Sequence, residues 1–363
     1  MKRSKRGNYQ KVVALVLIAI VIISAVGFVA NGWQPIINSG ADSGDAGNNN
    51  GDVANKNENA DEIPVVGEPK YYSYLTGLET TEELSRQLPI AFLTDPGLPL
   101  YGASYALVAI EFPTEGESRL VLYAENATSL GKIGPLLPTR DYISGILSHF
   151  GGTLLTMGND DIVDYVAKEF SGSVIDLSKI SGHHYTEVKN AFTNGDLIRA
   201  AITSGGGTTE LTHTQRLPFS FIEIDSNELF FGNEANKITI PYPDGKSTEL
   251  TYDAELGKYI YSKNGVQKVD MLTASNISFN NAFVLFADSV THETSGGSEL
   301  ILKPTGSGSG YYMTGGTYVS IKWVCDGDSL TLYDQNDNKL TVNRGTSYIA
   351  FMKSTEKNQI SFS

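Results

Sequence analysis

Nineteen consecutive residues without a charge, Val12 to Ala30, constrain this chain more than any other feature. At 1.5 Å per residue, a helix of that length spans roughly the ~30 Å apolar core of a bilayer. Lys2, Arg3, Lys5, Arg6 and Lys11 stand just before it. Basic residues on that side hold the N-terminal end in the cytosol. Residues 1–11 are therefore expected inside the cell, 12–30 as a single-pass anchor in the cytoplasmic membrane, and the rest on the extracytoplasmic face. Ala25-Val26-Gly27 also offers a small-x-small cleavage site, so a removed secretory signal stands as a second reading behind the uncleaved anchor.

Residues 31–66 read as a disordered linker. From Gly40 to Glu62 hardly any large apolar side chain occurs, and such a stretch cannot bury enough surface to offset the entropy of ordering. The net charge is −14, so without the five basic residues ahead of the apolar run the remainder carries −14 − 5 = −19. A body this acidic repels phosphates, which argues against nucleic acid as a partner and against tight docking on anionic lipid. Cys325 is the single cysteine, which allows no intrachain disulfide and no thiolate cluster. No cysteine directly follows the apolar run, so a lipoprotein-type anchor is not expected.

A length of 363 residues suggests about two domains. Between 70 and 232, strand-like and helix-like segments alternate. Ile90–Thr94, Ala106–Phe112 and Arg119–Tyr123 read as strands. Thr80 to Glu83 has capping-box spacing ahead of a short helix. Asp141–Phe150 sets Tyr142, Ile143, Ile146, Leu147 and Phe150 on one helical face, and Asp160–Phe170 repeats the pattern. Asn194 is placed to cap a helix bearing Leu197, Ile198, Ala201 and Ile202. This is an α/β domain. Between 236 and 363, short apolar runs are separated by turn signals at Asp244-Gly245, Asn264-Gly265 and Asp326-Gly327. Thr317–Val324 alternates cleanly, with Val319, Ile321 and Trp323 on one face. The predicted fold class is thus an α/β domain followed by a mostly antiparallel all-β domain, behind one transmembrane helix.

The order of several motifs resembles the YerB-like family of bacterial envelope lipoproteins, catalogued as a domain of unknown function. Leu75-Thr76-Gly77-Leu78, Pro89-Ile90-Ala91-Phe92 and Lys132-Ile133-Gly134-Pro135 with Arg140 resemble its N-terminal landmarks. Leu217-Pro218-Phe219-Ser220-Phe221 resembles the bridge to its second module. Gly257-Lys258-Tyr259, Asn264-Gly265, Trp323, Tyr333-Asp334 and Arg344-Gly345-Thr346 follow the order and spacing of that module. The polar set departs from the family. Leu137 replaces an arginine, Thr114-Glu115-Gly116-Glu117 stands for a Glu-Gly-Gly segment, and Thr156-Met157-Gly158-Asn159-Asp160 for a His-Ala-Gly-Gly-Ser stretch. Val188-Lys189-Asn190 stands for Pro-His-Asn, which leaves Asn190 as the retained polar residue. The resemblance implies a conserved scaffold whose activity, if the family has one, is altered or lost here.

Glu111 and Glu115 are the catalytic candidates. They end a strand and enter a turn, and glycoside cleavage needs a carboxylic acid of raised pKa beside the bond broken. A solvated acidic turn is the alternative for them. Arg119, Lys132 and Arg140 would form a basic spot for a carboxylate or phosphate, with Asn190 beside it by the resemblance; ordinary ion pairing is the alternative. No metal site is expected: His183 and His184 are adjacent and diverge, and His149, His213 and His292 have no ligand partner at useful spacing. Asp334–Asn338 starts like a calcium loop but has Lys339 where glycine is needed, so it reads as a hairpin turn. Gly306–Gly310 reads as a β connection. No Gly-x-Ser-x-Gly elbow or Cys–His arrangement is visible, and no cofactor is expected. Two functions fit. One is a membrane-anchored extracytoplasmic binding or scaffold protein whose partner is a cell-wall polymer or an envelope protein. The alternative is a peptidoglycan-cleaving glycosidase or lytic transglycosylase using one glutamate.

Overall fold

The computed structural model describes residues 69–363 except 141, 159, 171, 181–190, 206, 212–216, 295–296, 304 and 327–328. The expected cytoplasmic end, anchor and linker at 1–66, and Asn190, lie outside the described residues. Among the described residues no helix is long and apolar enough to cross a membrane.

Strands dominate. In chain order the main ones are β1 (Ile90–Thr94), β2 (Ala106–Pro113), β3 (Ser118–Ala124), β4 (Lys132–Leu136), β5 (Thr153–Thr156), β6 (Ser173–Asp176) and β7 (Ala191–Asn194). Then come β8 (Lys237–Tyr242), β9 (Lys246–Asp253), β10 (Lys258–Lys263), β11 (Asn281–Thr294), β12 (Gly297–Lys303), β13 (Gly306–Thr314), β14 (Thr317–Asp326), β15 (Ser329–Tyr333) and β16 (Ser347–Lys353). The helices are α1 (Glu82–Ser85), α2 (Ile143–Leu147), α3 (Asp160–Glu169) and α4 (Gly195–Ser204).

A twelve-stranded sheet runs β14-β13-β11-β16-β2-β3-β1-β5-β6, with β12 on β11, β15 on β14 and the short strand Asn233–Glu234 at one end. Strands from both halves of the chain enter it. They meet where β16 lies parallel to β2, with Ile349 opposite Ile110, and parallel to β11 on its other side, with Ile349 opposite Phe283. The main strands of the C-terminal part otherwise pair antiparallel, as expected, and these parallel pairs are the exception. They arise because β16 does not turn back on a sequence neighbour but slots between two distant strands.

Alternation along each strand divides the core. Phe92, Leu120 and Leu122 face a second, six-stranded sheet containing β8, β9 and β10, where Ile238, Ile240, Leu250 and Tyr261 meet them, with Ile198 and Ile202 of α4. Ala91, Leu93, Val121 and Tyr123 face the other way, onto Ile143, Ile146 and Leu147 of α2, Val166 of α3 and Phe150.

Local signals explain the element ends. The Asn194 side chain accepts from Leu197 N–H at 3.0 Å and starts α4. The cap of α1 is Thr81, which accepts from Leu84 N–H at 3.2 Å, one residue later than the Thr80 spacing predicted. Asn264 and Gly265, with φ of 53° and 73°, make the tight turn after β10. The glycine-rich run Gly306–Gly310 lies in β13, and a Cβ at Gly308 would come within 2.5 Å of the Trp323 ring. Close packing against that ring is what the glycine serves. Asp334 accepts from Asn336 N–H at 2.8 Å and Asn338 N–H at 2.9 Å, which closes the hairpin turn there.

Candidate functional site

Glu111 sits on β2 facing the smaller sheet, fully enclosed at 0 % exposure. Lys263 of β10 donates to its Oε1 at 2.8 Å, and the Lys263 side chain is 3 % exposed. Tyr348 donates at 2.6 Å and Tyr261 at 3.0 Å to Oε2, and Thr248 reaches both oxygens at 3.0 Å. Ser118 also donates to Oε1. The ammonium further donates to Ser118 Oγ at 2.7 Å and lies 4.2 Å from the centre of the Tyr242 ring. Burial alone would raise the Glu111 pKa, but the Lys263 charge and the hydrogen bonds from Lys263, Ser118 and Tyr348 outweigh it and hold the carboxyl below its usual range. The sequence offered Glu111 as a catalytic acid. The structure places it in a sealed, ionised pair, the opposite of an accessible acid that keeps its proton to neutral pH. Asp270 ties the same seam a second time, accepting from Ser104 Oγ at 2.6 Å and Ser104 N–H at 2.9 Å.

Glu115 stands in the turn after β2. Its Oε1 accepts from Leu300 N–H of β12 at 2.8 Å, and Arg140 donates to its two oxygens at 3.3 and 3.4 Å. Glu115 and Arg140 are therefore brought together, as an ion pair. Burial pushes the Glu115 pKa up, but the backbone N–H groups of Glu115 and Leu300, together with Arg140, bring it below the ordinary value. Such a carboxyl loses its proton early and is poorly suited to act as a general acid. Arg119 pairs instead with Asp95 at 3.6 Å and Glu117 at 3.4 Å. Lys132 projects over Tyr101 and Phe192, 4.2 and 4.0 Å from the ring centres. Among the described residues no contact joins the three cations into the single basic spot that the sequence suggested.

An opening lies on the other face of the large sheet. It is a groove of about 340 Å³ between α2 and α3 on one side and β12, β14, β15 and β16 on the other. Ile146, Leu302, Leu330 and Phe351 supply apolar lining, Tyr142 and Tyr165 aromatic edges, and Lys303 and Glu169 charges. At its floor two residues 176 apart in sequence meet: Cys325 Sγ is 3.8 Å from His149 Nε2. Leu330 N–H donates to His149 Nδ1 at 3.1 Å. A neutral imidazole that accepts at Nδ1 carries its proton on Nε2, the atom aimed at the sulfur. Among the described residues no group of three or more His, Cys, Asp or Glu side chains is placed to hold a metal ion.

Sequence reading missed His149, Cys325 and Gly145. The spacing of His149 carried a signal: it follows Ile146 by three and Tyr142 by seven, which puts it on the apolar stripe of the helix expected over 141–150, just past the end of α2. Nothing local could have linked it to Cys325. Gly145 lies mid-helix on the groove wall, where a Cβ would meet no atom within 4 Å.

Residues 238–349 match the family model described as "Protein of unknown function (DUF3048) C-terminal domain". No curated protein matches the sequence. The solved structure of the YerB protein from Bacillus subtilis resembles this one with a TM-score of 0.66 and 18 % sequence identity, over 81 % of this chain and 100 % of that one. That identity speaks to fold alone. Residues 238–349 thus carry the signature of the DUF3048 C-terminal domain, within a chain whose fold is YerB-like.

Proposed function

We propose that this chain is a membrane-anchored, extracytoplasmic binding or scaffold protein of the bacterial cell envelope, with an α/β part and a β-rich part carried on an N-terminal helix. The observation that carries the reading is the groove of about 340 Å³ between the helices and the sheet, mostly apolar with a few polar groups at its edges. The state of the carboxylates supports it. Glu111 is enclosed by Lys263 and three kinds of hydroxyl, and Glu115 is held ionised by Arg140 and the Leu300 amide. The membrane address is motivated by Val12–Ala30 and its basic flank, and the reach from the membrane by the composition of 31–66.

The test is to incubate the full chain, in mild detergent, with purified cell-wall sacculi and to analyse the supernatant by mass spectrometry, alongside crosslinking in cells. Retention on sacculi or a recurrent envelope partner is expected, with no glycan fragments released. Released fragments that vanish with Glu115→Gln would overturn the proposal in favour of the glycosidase or lytic transglycosylase. Neither retention nor any envelope crosslink would remove the binding reading.

A further inference from the structure

We propose that the groove receives an extended peptide, which adds as a strand to the outer edge of β12 and places one apolar side chain against Ile146, Leu330 and Phe351. This rests on the binding reading above and names the partner class.

Among the described strands β12 pairs with β11 alone. Leu300, opposite Thr291, donates its N–H to Glu115 rather than across the ladder. Antiparallel pairs alternate between hydrogen-bonded and non-hydrogen-bonded, so the Leu300–Thr291 pair is of the second kind. Two residues on, the Leu302–Ser289 pair repeats it, and Leu302 turns its N–H and C=O away from β11. At Leu300 a carboxylate stands where the carbonyl of a further strand would lie. At Leu302 the same strand lines the groove. The opposite wall is α2 and α3. A sheet edge facing helices across an apolar slot lets a peptide take main-chain hydrogen bonds from the edge and side-chain selectivity from the slot.

Two further observations point to an occupant. Glycine is disfavoured inside a helix relative to alanine, yet Gly145 occupies the middle of α2 with nothing within 4 Å of where its Cβ would be. Its effect is to keep the wall of the groove open. Lys303 lies exposed at the mouth, and among the described residues no carboxylate reaches it within ion-pair distance. Charge complementarity therefore favours a peptide with Asp or Glu beside the apolar residue.

A random twelve-residue peptide library displayed on phage tests this against the full chain in mild detergent. Recovered binders are expected to share an apolar residue flanked by Asp or Glu. A synthetic copy should lose at least tenfold in affinity for Gly145→Phe and none for Gly145→Ala. Methylating its backbone nitrogens one at a time should weaken binding at every second residue. If Gly145→Phe melts well below the parent, Lys303→Glu supplies the same comparison from the mouth, with a severalfold loss expected. No binder, binders indifferent to these substitutions, or no two-residue pattern in the methylation series would overturn the inference. Indifferent binders together with intact retention on sacculi would remove the groove as the site and leave the envelope-binding reading standing.

Discussion

Two regions on opposite faces of one sheet handle ionisable groups in opposite ways. In the seam between the two sheets, Glu111 and Lys263 are shut off from water and every oxygen of the carboxylate has a donor. In the groove under the helices, His149 and Cys325 line open space and Lys303 reaches solvent. Glu111 and Glu115 are only four residues apart, yet strand parity locks one into the seam while the turn carries the other to the edge of β12. The lesson is that residue type nominates a site, but the face of the sheet decides whether it is structural or accessible.

The sharpest way to break the seam is Lys263→Met. Leaving Glu111 charged and unpaired should cost about 3–5 kcal/mol in urea unfolding, while adding Glu111→Leu should restore much of it. The seam also predicts a pH response. The folded-state pKa of Glu111 lies below its ordinary 4.5, so its contribution to stability is present above that value and is lost as pH falls below it. Urea midpoints measured from neutral pH into the acid range should decline there, and Glu111→Gln should flatten that part of the slope. On the groove side of the sheet, Gly308→Ala should cost about 1–3 kcal/mol by pushing on the Trp323 ring, read as a lowered melting temperature. Gly145→Ala should instead stabilise by about 0.5–1 kcal/mol, because the new methyl meets nothing. A loss there would mean the wall of the groove is packed. Smallest is Glu115→Gln, expected below about 1 kcal/mol as a partly exposed pair. A larger loss would show that capping the Leu300 amide holds β12 in place.

Much of the fold was legible where a signal is local. Ile90–Thr94 falls where the apolar run put it, α4 starts at its Asn194 cap, and β14 alternates as Val319, Ile321 and Trp323 implied. Helix α2 is shorter than its pattern, spanning Ile143–Leu147 within the expected 141–150. The insertion of β16 between β2 and β11 was not legible, since parallel pairing of remote strands leaves no local periodicity. The site was less readable still. Glu115 and Arg140 do come together, but Lys263 reaches Glu111 across 152 residues and Cys325 reaches His149 across 176. Such encounters are set by which strand crosses which, and no spacing in the chain records them.

The placement of β16 has a consequence for biosynthesis. Its partner β2 ends at residue 113, and β16 begins only at residue 347. At roughly 5–20 residues per second of chain elongation, β2 leaves the ribosome about 10–50 s before its neighbour exists. For that interval the edge of β2 is an unpaired template, open to any passing strand. Truncation anywhere before residue 347 leaves the two halves of the large sheet with no strand to join them.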